Sequence, residues 1–122
     1  MRRKLLLVGG EENQRRLYAQ EFEEEGYVVI EAEDGHTAVG KVLAEHPDLV
    51  ILDTGVQDMD GGKALARALG IGARIPVIVN SAYERRMSAH MLWDADAYVV
   101  KSADLTELKR TVNRLLDGGK VG

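Results

Sequence analysis

Three side chains that could act together close three separate apolar runs. Asp53 ends the run in "PDLVILDTGVQDMDG", Ser81 the run in "IPVIVNSAY", and Lys101 the run in "DAYVVKSADL". They are an acid, a hydroxyl and an amine: a weak oxygen nucleophile, a hydrogen-bonding group and a cation. Gly9 and Gly10 end a fourth run, "KLLLVGG", and Asn80 precedes Ser81. If the runs are strands in register, all these positions meet along one sheet edge.

The elements that would position them follow from hydrophobic patterning. Apolar runs over 5–8, 27–30, 49–52, 75–79 and 98–100 alternate with amphipathic stretches over 12–25, 35–45, 62–69, 84–93 and 105–116. The short runs are rich in Val, Ile and Leu without polar alternation, as expected of strands buried on both faces. The last stretch has the clearest helical period: Leu105, Leu108, Val112, Leu115 and Leu116 share one stripe. Asp104 is placed to cap its start, and Gly118 follows its end. Five β-α alternations predict a three-layer α/β fold, a parallel sheet covered by helices on both faces. In such sheets ligands sit beyond the carboxyl ends of the strands, where the residues named above would lie.

Composition narrows the function classes. The chain has 122 residues, enough for one compact domain. A single domain over 1–122 is expected, with its core over about 4–117 and a flexible tail over 118–122. The formal net charge of -4 argues against direct nucleic-acid binding, which favours a basic face. The chain has no cysteine, so disulfides and thiolate chemistry are excluded. No apolar run is long enough to span a membrane, and a cytoplasmic domain is the expectation.

Gly9 and Gly10 invite a phosphate-loop reading, but neither G-x-G-x-x-G nor G-x-x-x-x-G-K-[ST] occurs; the next glycine is Gly26. Glu11 and Glu12 would also set negative charge where a phosphate belongs. They read instead as residues of a first helical turn, which favours acids. His36, His46 and His90 lack metal-ligand spacing.

Taken together, "GYVVIEAEDGHTAV", "HPDLVILD", "MDG", "SAY" and "AYVVK" closely resemble the response-regulator receiver domain of two-component signalling, from about Lys4 to Leu116. The resemblance implies a flavodoxin-like (βα)5 fold with sheet order 2-1-3-4-5. It implies that Asp53 accepts a phosphoryl group from a histidine kinase or histidine phosphotransfer protein. Ser81 would hydrogen-bond that group, Lys101 would pair with carboxylate or phosphoryl oxygens, and Tyr98 would be the aromatic that moves with the switch. Downstream proteins would meet the face of the fourth helix, last strand and last helix. The domain would be no enzyme beyond aiding its own aspartyl phosphorylation and dephosphorylation.

The family's Mg²⁺ would draw on Asp53 and the carbonyl of Gly55. The acids that anchor the metal in the family are replaced here by Gly9 and Gly10. Gln57 and Ser102 also stand where prolines are common. A typical site sets three acids against one lysine, leaving about two excess negative charges for a divalent cation. Asp53 and Lys101 alone would balance. Weak Mg²⁺ binding and slow phosphorylation are therefore expected, and Gly9→Asp plus Gly10→Asp would restore the metal. The alternative is a phosphorylation-independent pseudo-receiver that acts as a protein-interaction module.

Overall fold

The computed structural model describes residues 2–53, 75–81, 96–102 and 104–117. Along the chain these form β1 (Lys4–Val8), α1 (Glu12–Glu24), β2 (Val28–Ala32), α2 (Gly35–Glu45), β3 (Leu49–Asp53), β4 (Val77–Ser81), β5 (Ala97–Val100) and α3 (Thr106–Asp117). The strands make one parallel sheet in the order β2-β1-β3-β4-β5. This is the expected order. The expected helices over 62–69 and 84–93 lie outside the described residues, as do Gly55, Gln57, His90 and Gly118.

Burial explains the order. All five residues of the central β3 are buried. The edge strands β2 and β5 are only partly covered, because each has a neighbour on one side alone. The expectation of strands buried on both faces therefore holds at the centre and fails at the edges. Alternate residues feed two cores. Leu6, Val8, Val50, Leu52, Val77 and Val79 pack with Ala38 and Val42 of α2 on one face. Leu5, Leu7, Ile51, Ile78 and Val99 face the other way, against Ala19 and Phe22 of α1 and Leu108 and Val112 of α3. Lys109 Nζ of α3 reaches Glu21 Oε1 of α1 at 2.8 Å, so these two helices are neighbours on that second face.

The helix ends are set by local chemistry. Glu11 caps α1, its Oε1 accepting from Gln14 N at 3.0 Å. Asp34 caps α2, its Oδ1 accepting from Thr37 N at 2.8 Å. Asp104 accepts from Thr106 N at 2.9 Å and from Thr106 Oγ1 at 2.6 Å at the start of α3. His46, at φ 52, closes α2 by donating its N–H to Val42 O at 3.1 Å.

The amino-terminal rim of the sheet carries one device twice. Asp48 N donates to Lys4 O at 2.8 Å while Asp48 Oδ2 accepts from Lys4 N at 2.8 Å. Asp96 repeats this on Val77, donating to its carbonyl and accepting from its N–H, both at 2.8 Å. In each case the aspartate just before one strand grips the first residues of its neighbour.

Phe22 is fully buried, so Phe22→Ala should cost about 3–5 kcal/mol in urea denaturation. The hydrogen bonds from Thr37 hold the Asp34 carboxyl below its ordinary value, and those from Thr106 do the same for Asp104. A depressed folded pKa stabilises above the unfolded pKa and is lost as pH falls through the folded one. Asp34→Ala and Asp104→Ala should lower Tm at neutral pH. Their difference from the wild type should close once the solution is acidic enough to protonate both carboxyls, as thermal melts across pH would record.

Candidate functional site

Parity places the site. Leu49 and Ile51 face α1 and α3, so Asp53, two residues on, meets the same layer. Ile78 fixes the same direction for Asn80, and Val99 does so for Lys101 just past β5. Asp53 and Asn80 are register partners on adjacent strands. Position 81 ends β4 opposite Val100, so the backbone brings Ser81 to the same edge.

Lys101 Nζ lies 2.5 Å from Asp53 Oδ2. The Asp53 side chain is 12% exposed and that of Lys101 23%. A carboxylate this sheltered is costly unless a cation partners it, and Lys101 supplies that cation from another strand end. The structure therefore unites Asp53 and Lys101, as their positions in the sequence predict. Tyr98 lies elsewhere: its side chain stands on the edge strand, 47% exposed. Ser102 is exposed and accepts from Asp104 N at 3.1 Å in the turn before α3. No described peptide bond is cis.

The loop from β1 to α1 forms the other wall. Gly9 and Gly10 have φ of 82 and 84, a region that side chains rarely enter. A Cβ built on Gly10 would stand 2.6 Å from Asp53 Oδ2 and 3.1 Å from its Cγ. The Asp53 carboxylate thus rests against a bare backbone. Arg15 closes the loop from behind. Its Nη1 donates to the carbonyls of Gly9 at 3.3 Å and Gly10 at 3.2 Å, and its Nε donates to Glu31 Oε1 at 3.1 Å. The Arg15 side chain is only 10% exposed. Glu11 is used in capping, and Glu12 pairs with Arg16 at 3.1 Å.

Arg15 and Asn80 are the residues that sequence reasoning undervalued. Arg15 lies one turn into α1, and nothing in its spacing reveals that the loop folds back to it. Asn80 did carry a signal. It shares the parity of Ile78 and so had to face a buried layer; it is 2% exposed. A small cavity of about 20 Å³ lies between Asp53, Asn80, Gly9, Arg15 and Tyr18. A larger groove of about 240 Å³ reaches Asn80 from the side of Ser102, Asp104 and Arg110. Among the described residues, no group of three His, Cys, Asp or Glu side chains is placed to hold a metal ion. None of the described helices is long and apolar enough to cross a membrane.

The chain and its 2-1-3-4-5 parallel sheet are matched among known proteins. The family model of the response regulator receiver domain matches residues 5–113. The chain belongs to that family. Sporulation initiation phosphotransferase F of Bacillus subtilis (strain 168) is 32% identical over 118 residues, covering 95% of each chain. Regulatory protein AtoC of Escherichia coli (strain K12) is 36% identical over 115 residues, 93% of this chain but 25% of AtoC. The chain thus spans about a quarter of that relative. Among solved structures, response regulator TrrA of Thermotoga maritima in complex with Mg²⁺-BeF has a TM-score of 0.81 at 35% identity, over 93% of this chain and 98% of its own. TrrA is also known in complex with histidine kinase ThkA, where its TM-score is 0.80 at 36% identity, over 93% and 98% of the two chains.

Two glycine substitutions should separate site geometry from helix propensity. Gly40, inside α2, has open space where a Cβ would go. Gly40→Ala should therefore stabilise by about 0.5–1 kcal/mol. Gly10→Ala should destabilise by about 1–2 kcal/mol from its backbone alone, with the Asp53 contact added. Urea midpoints of the two variants should move in opposite directions.

Proposed function

We propose that this receiver domain signals in a two-component phosphorelay, with Asp53 as the phosphoacceptor. The supporting observation is the Asp53–Lys101 pair at the carboxyl edge of the sheet. In the transfer, a carboxylate oxygen of Asp53 forms the new O–P bond while the N–P bond of a phosphohistidine breaks. The imidazole leaves with that electron pair. Such a transfer depends on positioning and charge neutralisation. Lys101 is the cation that moves from carboxylate to phosphoryl oxygens, Ser81 hydrogen-bonds the phosphoryl group, and Tyr98 reports the switch. The TrrA–ThkA complex supports a histidine kinase as donor, and the name of the Bacillus relative supports a relay role. The domain is a signalling module without a metabolic substrate of its own. Its downstream protein docks on the face that includes β5 and α3.

The same reading makes the site atypical, with Gly9 and Gly10 standing where the family carries metal-anchoring acids. A divalent cation needs several oxygen ligands and net negative charge. The described residues fit it poorly. The two glycines carry no side-chain oxygen, their carbonyls accept from Arg15, and Lys101 already offsets Asp53. The sequence suggested that aspartates at 9 and 10 would restore the metal. The backbone argues against that simple repair: both positions have positive φ, and the space beyond Gly10 is filled by Asp53.

The 2.5 Å contact of Lys101 with Asp53 also favours a second reading. A site already neutral within itself suits a pseudo-receiver that works by protein contact alone. Incubation with a small phosphodonor, with and without Mg²⁺, followed by intact mass analysis distinguishes these. A slow Asp53 adduct with little Mg²⁺ dependence is expected, and Asp53→Asn should abolish it. Rapid Mg²⁺-dependent labelling would overturn the weak-metal reading. The absence of any adduct, with the phosphodonor or a phosphorylated kinase, would favour the pseudo-receiver.

A further inference from the structure

We propose that Asn80 is a positioning residue for Asp53 and acts through one water molecule held in the cavity between them. The proposal deepens the reading of Asp53 as the reactive group, and its structural test stands whether or not Asp53 is phosphorylated.

Asn80 is 2% exposed, and among the described residues nothing donates to its Oδ1. Buried acceptors are nearly always satisfied, by protein or by ordered water. Asn80 is also the polar member of a buried row: Ile78 precedes it on the same face, and Val99 lies opposite it in register on β5. Packing alone favours an aliphatic side chain at this position.

The room and the partners for a water are both present. The cavity bounded by Asn80 and Asp53 is about 20 Å³. One water needs roughly 10–15 Å³ of such space and two to four polar partners. One O–H donates to Asn80 Oδ1 and the other to the Asp53 carboxylate. Gln14 and Arg15 line the same cavity and can donate to the water oxygen. With Lys101 and Arg15 already bringing positive charge, the cavity suits a neutral donor better than a cation. Asn80 also lines the groove of about 240 Å³.

The consequence is orientation. A terminal carboxylate torsion is broad and weakly restrained on its own. Lys101 holds Asp53 Oδ2, Gly10 leaves room for the carboxylate, and the water restrains it from the Asn80 side. Rotation would then break one bond or the other. Asn80 touches no reacting atom and works only through this restraint.

High-resolution crystal structures of the wild type and Asn80→Val test the proposal, alongside thermal melts and the phosphodonor assay. The wild type should show one water within hydrogen-bond distance of both Asn80 Oδ1 and the Asp53 carboxylate. In Asn80→Val that water should be gone and the carboxylate turned, while Tm is equal or higher. Adduct formation at Asp53 should slow by about tenfold or more. A purely structural Asn80 would lower Tm on substitution and leave the carboxylate in place. A dry cavity in the wild type, an unmoved carboxylate in the variant, or an unchanged labelling rate would each overturn the proposal. If the wild type forms no adduct, the phosphoacceptor reading fails and the two crystal structures still decide the role of Asn80. Should Asn80→Val fail to fold, the wild-type density alone decides it.

Discussion

A carboxylate at the end of a strand buried at every position has to be neutralised, and that need organises one edge of this protein. Asp53 completes β3, the central strand. Water cannot solvate its charge freely, so the neutralising cation must come from the fold. It comes from Lys101, just beyond β5, two strands away in the sheet. The pair forms only if β4 and β5 dock in register beside β3. The chemistry of the site and the closure of that half of the sheet are one constraint.

The opposite wall meets the same need differently. A carboxylate can rest against the β1–α1 loop only if that loop presents no side chain, and Gly10 meets this condition. The left-handed turn through Gly9 and Gly10 aims two carbonyls at Arg15, which in turn holds Glu31 of β2. Acids in this loop would have added negative charge beside Asp53. The glycines add none, and the arginine behind them is tied to backbone and to Glu31. Among the described residues, the Asp53 and Lys101 charges pair with each other, as do those of Arg15 and Glu31.

Much of this was legible in the sequence, because hydrophobic period reports burial directly. The stretch 35–45 reads as a helix and is one. The runs ending at Asp53 and Ser81 read as strands, although the ladder continues one or two residues further than the apolar letters do. Hydrogen bonding, not hydrophobicity, sets a strand's last residue. The convergence of Asp53 with Lys101 was legible because parallel strands deliver their carboxyl ends to one edge. Arg15 was not, since its role depends on backbone angles open chiefly to glycine. Asn80 lay between: its parity declared it buried, but only the arrangement of neighbouring side chains reveals an acceptor to which none of the described residues donates. His46 is exposed, and it also ends α2 in a left-handed conformation that the hydrophobic period does not report.

The paired grips of Asp48 and Asp96 bear on how the two ends of the sheet divide their labour. A parallel strand displaced by one residue would turn every core side chain outward. By clasping β1 and β4 at their first residues, these aspartates index the sheet from the end remote from Asp53. Alignment is thus set where no chemistry takes place. The opposite rim is left free to carry glycines, a buried amide and a charge pair, none of which a sheet would choose for its own alignment.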